Sequence, residues 1–116
     1  MADFLKRYAW CITKDFDYER ELKAGGEVQA EKTQGNATGM IGPRNPGLNT
    51  VQEIRKHPDR NRFRMFDDDD NLIYEGFLVH DKNSEGFEPL DDFGTPNFGC
   101  TYIKYYNREK KLWETL

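Results

Sequence analysis

Four consecutive aspartates, Asp67, Asp68, Asp69 and Asp70, followed by Asn71, form the densest group of oxygen ligands in the chain. Clustered carboxylates are what hard cations prefer. Asp67, Asp69 and Asn71 fall at the first, third and fifth places of a calcium-loop pattern. Its sixth place is Leu72 where glycine is required, and its twelfth is Leu78 where a bidentate glutamate is required. An EF-hand is excluded. The expectation is a solvated turn without metal, whose like charges discourage edge-to-edge pairing; an improvised site shared with Asp91 and Asp92 stays open as the alternative.

Nucleophilic chemistry would need Cys11 or Cys100, with His57 or His80 as base and Asp81 or Asp92 to orient it. Cys100 follows Phe98-Gly99 and opens a strand, a position able to expose a thiol, but packed thiols are commoner. Neither cysteine belongs to a C-x-x-C pair, which removes zinc ribbons and thioredoxin-like centres. The run Arg55-Lys-His-Pro-Asp-Arg-Asn-Arg-Phe-Arg64 offers phosphate contacts, with Arg62 and Arg64 on one face of a strand and Arg60 nearby. Gly39-Met-Ile-Gly42-Pro43-Arg44 lacks both the G-x-G-x-x-G spacing and a G-K-[ST] ending, so it carries no phosphate-loop signal. The segment Pro89 to Gly99 sets Phe93 and Phe98 beside Asp91, Asp92 and Asn97. Rings next to hydrogen-bonding groups on a loop suit a recognition surface. They equally suit a self-packed plug at the end of a sheet.

The elements that must hold these groups are mostly strands. Tyr8–Thr13 is β-branched and aromatic, with Tyr8, Trp10 and Ile12 on one face. Residues 15–23 predict a turn or two of helix before Gly25-Gly26, and residues 48–56 predict a short helix with Asn49 as N-cap and Pro58 as stop. Residues 62–66 and 72–79 flank the aspartates and predict a β-hairpin. Strands follow at 101–106 and 111–115, joined by Asn107-Arg-Glu-Lys. Residues 27–47, with a short strand possible at Thr38–Gly42, and residues 84–99 read as long loops. The sum is one α+β domain over residues 1–116. It has an antiparallel sheet of three to five strands and one or two short helices, with an all-β arrangement as the alternative. Its expected core is Tyr8, Trp10, Ile12, Phe63, Met65, Tyr74, Leu78, Ile103, Tyr105 and Trp113.

Composition narrows the function classes. The chain has 116 residues, 14% of them aromatic and 33% charged. That ring content argues against disorder despite a mean hydropathy of -0.94. No stretch approaches the roughly 20 apolar residues of a membrane span, and the N-terminus shows no signal-peptide pattern. A cytoplasmic location and reduced thiols are the expectation. The net charge of -4 conceals a division: residues 55–64 hold five Lys/Arg against one Asp, and residues 65–103 hold ten acids against Lys82. Charge so divided steers a charged partner, or cancels where the two segments lie side by side.

The segments Phe63-Arg-Met-Phe-Asp-Asp-Asp-Asp…Tyr74-Glu-Gly76 and Pro89-Leu-Asp-Asp-Phe-Gly-Thr-Pro-Asn-Phe-Gly-Cys-Thr101 resemble a family of small bacterial proteins known mainly as hypothetical proteins. The resemblance runs from Trp10-Cys-Ile-Thr13 to Trp113-Glu114. It departs from the family at Asn71, where glycine is more usual, and in the helix-like stretch Leu48–Lys56. It implies no activity, cofactor or catalytic residue.

The expected function is therefore binding, without a cofactor, of a macromolecular partner, in first place a protein. The expected contacts are Asp67–Asp70 with Asp91, Asp92, Phe93 and Phe98. A nucleic-acid module using Arg60, Arg62 and Arg64 is the alternative, against which a pI near 5.2 argues. A small cysteine enzyme is the further one. A dimer is compatible with open strand edges.

Overall fold

The computed structural model describes residues 8–25, 36–43, 47–80 and 85–116. Asp81, Ser84, Arg44, and residues 27–35 of the glycine-rich stretch lie outside the described residues.

The hairpin anticipated around the aspartates is the centre of the sheet. Its strands are β3 (Asn61–Phe66) and β4 (Leu72–His80), with Phe63 opposite Gly76 and Met65 opposite Tyr74. On the far side of β4 lies β1 (Tyr8–Asp15), where Trp10 meets Leu78. On the far side of β3 lies β5 (Tyr102–Asn107), which turns through Arg108–Lys111 into β6 (Leu112–Thr115). A two-residue strand, β2 (Ile41–Gly42), completes the other edge against Trp10 and Cys11. The order is β2-β1-β4-β3-β5-β6, antiparallel throughout.

Six strands exceed the three to five expected. The extra edge strand needs only two residues because Ile12 N–H donates to the Met40 carbonyl and Gly39 N–H to the Ile12 carbonyl, at 2.9 and 2.7 Å. The helices are also more numerous than the expected one or two. Helix α1 spans Phe16–Gly25 and α2 spans Val51–Arg55; a π-helical turn, Leu90–Gly94, continues into α3 (Thr95–Phe98). Pro96 read as a breaker, yet near a helix start its missing N–H is no loss. Helix α1 begins where the Asp15 carboxylate accepts from Tyr18 N–H at 3.0 Å. Helix α2 is capped by Thr50 and not by Asn49. Thr50 Oγ1 accepts from Glu53 N–H, and the Glu53 carboxylate reaches back to Asn49 N–H, each at 3.1 Å.

Strand alternation sorts the apolar residues onto two faces. One carries the main core: Trp10, Ile12, Phe63, Met65, Tyr74, Leu78, Ile103 and Tyr105, closed by Leu90, Phe93 and Cys100 from the π-turn and its flank. Tyr8 packs at its margin. The other face is covered on its β1–β4 half by α2, where Ile54 and Val51 meet Ala9, Cys11 and Val79. Its β3–β5–β6 half has no described element over it. Trp113, expected in the core, lies there opposite Tyr106. No described helix is long and apolar enough to cross a membrane.

Candidate binding surface

The π-turn sets Leu90 and Phe93 of the aromatic-acidic segment against the core. Phe93 sits between Trp10 and Tyr74, with ring centroids 5.3 and 5.1 Å away, and is buried. Asp92 Oδ2 accepts from Tyr8 Oη at 2.8 Å and Trp10 Nε1 at 3.1 Å, tying the turn to β1. Asn97 Nδ2 donates to Tyr74 Oη at 2.6 Å. Phe98 is partly exposed with its ring set edge-on to Tyr74, and Asp91 is exposed. Of this segment, Asp91, Asp92 and Phe98 are exposed and Phe93 is buried, with the hydrogen bonds of Asp92 tying the turn to β1.

The hairpin tip divides in the same way. Asp67 Oδ1 accepts from Asp69 N–H at 3.0 Å and Asn71 N–H at 2.9 Å, which holds the Asp67 carboxyl below its ordinary range. Asp70 adopts φ 63°, the left-handed conformation for which glycine was looked for at Asn71, and accepts from Tyr102 Oη at 2.5 Å. Asp68 and Asp69 are left pointing to solvent. Among the described residues no group of three His, Cys, Asp or Glu is placed to hold a metal ion.

The cysteines sit in opposite environments from those a nucleophile needs. Both are fully buried, Cys100 included, in keeping with packed thiols being the commoner case. Burial pushes the Cys11 thiol up to about 11 and the Cys100 thiol up to about 12. His80 contacts Glu88 Oε2 at 3.2 Å and stacks on Tyr8; His57 Nδ1 accepts from Asp59 N–H at 3.0 Å.

The most developed surface is the uncovered half of the second face. Arg62, Arg64 and Phe66 alternate with the core residues Phe63 and Met65, so all three point there. Glu75 comes up beside them from β4, largely buried, with its carboxylate shared between two guanidinia. Arg62 Nη2 donates to both oxygens at 3.2 Å, and Arg64 Nε donates to Oε1 at 2.8 Å. The same two guanidinia lie over the Trp113 ring, 5.3 and 4.4 Å from its centroid. Tyr106 meets that indole edge-on at 5.3 Å. Toward the hairpin tip, Phe66 and Tyr102 stack in parallel at 5.0 Å, with Lys104 Nζ 5.3 Å from the Phe66 centroid. At the other end Arg60 lies near Phe77, and Arg108 Nη2 donates to the Arg60 carbonyl at 2.7 Å.

The face thus brings together Arg60, Arg62 and Arg64, as the basic run anticipated, and adds Lys104, Arg108, Trp113 and four more rings. Phe66 was legible from its two-residue spacing from Arg64. Trp113, Tyr106 and Arg108 depend on the β5–β6 register, for which local sequence carries no marker. No family model matches the chain, no curated protein matches it, and no solved structure matches it.

Proposed function

We propose that the protein is a non-catalytic binding module whose contact surface is the open β3–β5–β6 face, with the acidic hairpin tip at its rim, and whose partner is a protein presenting acidic side chains. One observation carries this reading: Glu75 pairs with Arg62 and Arg64, and both guanidinia lie over Trp113, on a face that no described element covers. Tryptophan, tyrosine and arginine are the residues that dominate protein interfaces, and order before contact lowers the entropic cost of binding. Arg62, Arg64 and Lys104, with one buried carboxylate among them, give the middle of this face a positive character on an acidic protein, which favours an acidic partner. The deeply buried, weakly acidic thiols support binding over nucleophilic catalysis.

Single-stranded nucleic acid also pairs rings with basic groups. Here, however, Phe66 and Tyr102 are stacked on each other and Trp113 already carries guanidinia over its ring, which supports the protein reading. The test is affinity capture from nuclease-treated extract of the source cell, using the full chain and Trp113→Ala. A protein retained by the former and bound about 30-fold more weakly by the latter is the expected result, the loss typical of an interface anchor. Capture abolished by nuclease, or unchanged in Trp113→Ala, overturns the reading. Replacing Asp68 and Asp69 by Ser then shows whether the hairpin rim takes part.

A further inference from the structure

At the Arg60 end of the open face the surface folds into a cleft of about 300 Å³, lined by Arg60, Arg62, Arg108, Phe77 and Tyr106. Three guanidinia face this space, and no carboxylate lines it. Glu75 offsets Arg62. Arg60 and Arg108 have no acidic partner among the described residues, and their recorded hydrogen bonds go to the backbone carbonyls of His57 and Arg60. One carboxylate is matched by one guanidinium fork, whereas a phosphate dianion has oxygens enough for three. Arg60, Tyr106 and Arg108 also line an adjoining cleft of about 450 Å³, whose remaining wall includes Asp59, Glu85, Asn107 and Glu109. That second compartment is rich in acceptors, suited to hydroxyl donors and hostile to a second anion. The polarity is therefore fixed: anion on the arginine side, hydroxyls on the carboxylate side.

We propose that the two clefts together bind a sugar phosphate, free or as part of a nucleotide, with its phosphate among Arg60, Arg62 and Arg108 and its hydroxyl groups toward Asp59 and Glu85. This site goes beyond the protein interface above and does not rest on it. The two sources of the sugar phosphate differ in one respect, since only a nucleotide has a base to lay against Phe77 or Tyr106.

The experiment is a titration of the ¹⁵N-labelled full chain followed by amide and guanidinium NMR signals. The probes are ribose 5-phosphate, adenosine 5′-monophosphate, inorganic phosphate and adenosine, with wild type, Arg108→Gln, Arg60→Gln and Lys110→Gln. Both phosphate esters are expected to shift signals around Arg60 and Arg108. Arg108→Gln and Arg60→Gln are each expected to weaken binding about tenfold, the loss of one charge-assisted contact. Lys110→Gln, on the adjoining turn, leaves binding unchanged. A nucleotide that binds more tightly than ribose 5-phosphate identifies the nucleotide as source, and equal binding identifies the sugar phosphate; both support the site. Three results overturn it: no shift with either ester at millimolar concentration, inorganic phosphate or adenosine binding as well as the esters, or indifference to Arg108→Gln. Because Arg60 also bonds the His57 carbonyl, the exposed Arg108 variant decides if Arg60→Gln alters the loop.

Discussion

Glu75 joins the two halves of the binding surface to the sheet beneath it. Its carboxylate is almost wholly buried and receives N–H groups from Arg62 and Arg64, which in turn cover Trp113. Removing its charge frees two partly exposed arginines over the indole and leaves a buried amide facing positive charge. Glu75→Gln is expected to cost about 1–3 kcal/mol, the range for hydrogen bonds to charged groups, in urea unfolding. Loss well below that range means solvent already screens the arginines. At this scale the sequence was informative about chemistry and mute about direction. That Arg62 and Arg64 share a face follows from spacing. That Phe93 turns inward while Phe98 turns out does not, because an irregular segment has no period to fix which side meets the sheet. Phe93 behaves as the plug reading has it, while Asp91, Asp92 and Phe98 stay exposed.

Among elements, the β3–β4 hairpin was the most legible, since two alternating runs flanked a turn-forming acidic segment. Its least replaceable residue is Gly76. A Cβ there would lie 1.9 Å from the Cys11 carbonyl oxygen and 2.8 Å from the Phe63 ring, at the place where β1 and β3 both pack against β4. The obstacle on one side is backbone, which cannot rotate away. Gly76→Ala is expected to destabilise by about 3 kcal/mol or prevent folding, the upper part of the range for overpacked cores; a thermal midpoint within a degree of wild type refutes this. Elsewhere the element reading fell short for identifiable reasons. β2 falls within the short strand open at Thr38–Gly42 but keeps only two of its residues, Ile41 and Gly42, beside the hydrogen bonds that Ile12 and Gly39 make. The π-turn carries Gly94, whose added Cβ would meet the Met65 sulfur at 2.5 Å, so that glycine marks close packing and not a break in structure.

For the molecule as a whole, tyrosines make the pH response. Burial first, then the hydrogen bond to Asp92, pushes Tyr8 up to about 12. The hydrogen bond to Asp70 first, then burial, does the same for Tyr102. Tyr74 and Tyr105 are driven higher still, chiefly by burial. A hydroxyl harder to ionise in the folded chain stabilises the fold below the ordinary tyrosine value near 10, and that contribution disappears as pH rises through the folded value. The urea midpoint is therefore expected to fall between about pH 10 and pH 12, with tyrosinate absorbance rising together with the loss of structure. Ionisation of Tyr8, Tyr74, Tyr102 or Tyr105 in the intact fold near pH 10 refutes it. The charge division seen in the sequence also takes its meaning at this scale. β3 and β4 are neighbours, so Glu75 offsets part of the basic run locally. The exposed aspartates at the tip and the unmatched arginines near Arg60 stand at opposite ends of β3. The face is consequently dipolar along its strands, an arrangement that orients an approaching partner.

The strand order bears on how the chain finds this state. Only β3–β4 and β5–β6 join neighbours in sequence through tight turns; β1 waits for β4, and β5 reaches β3 only after the π-turn segment has been made. Contacts between distant parts of a chain must be bought with loop entropy before they return any stabilisation. The central hairpin is therefore the natural nucleus, and folding belongs to the millisecond-to-second regime of sheet proteins, not the microseconds of helical bundles. Until β5 and β6 dock, Trp113 has no Arg64 beside it and the binding face does not exist. The proposed contact surface is therefore complete only when the β5–β6 pair has docked against the central hairpin.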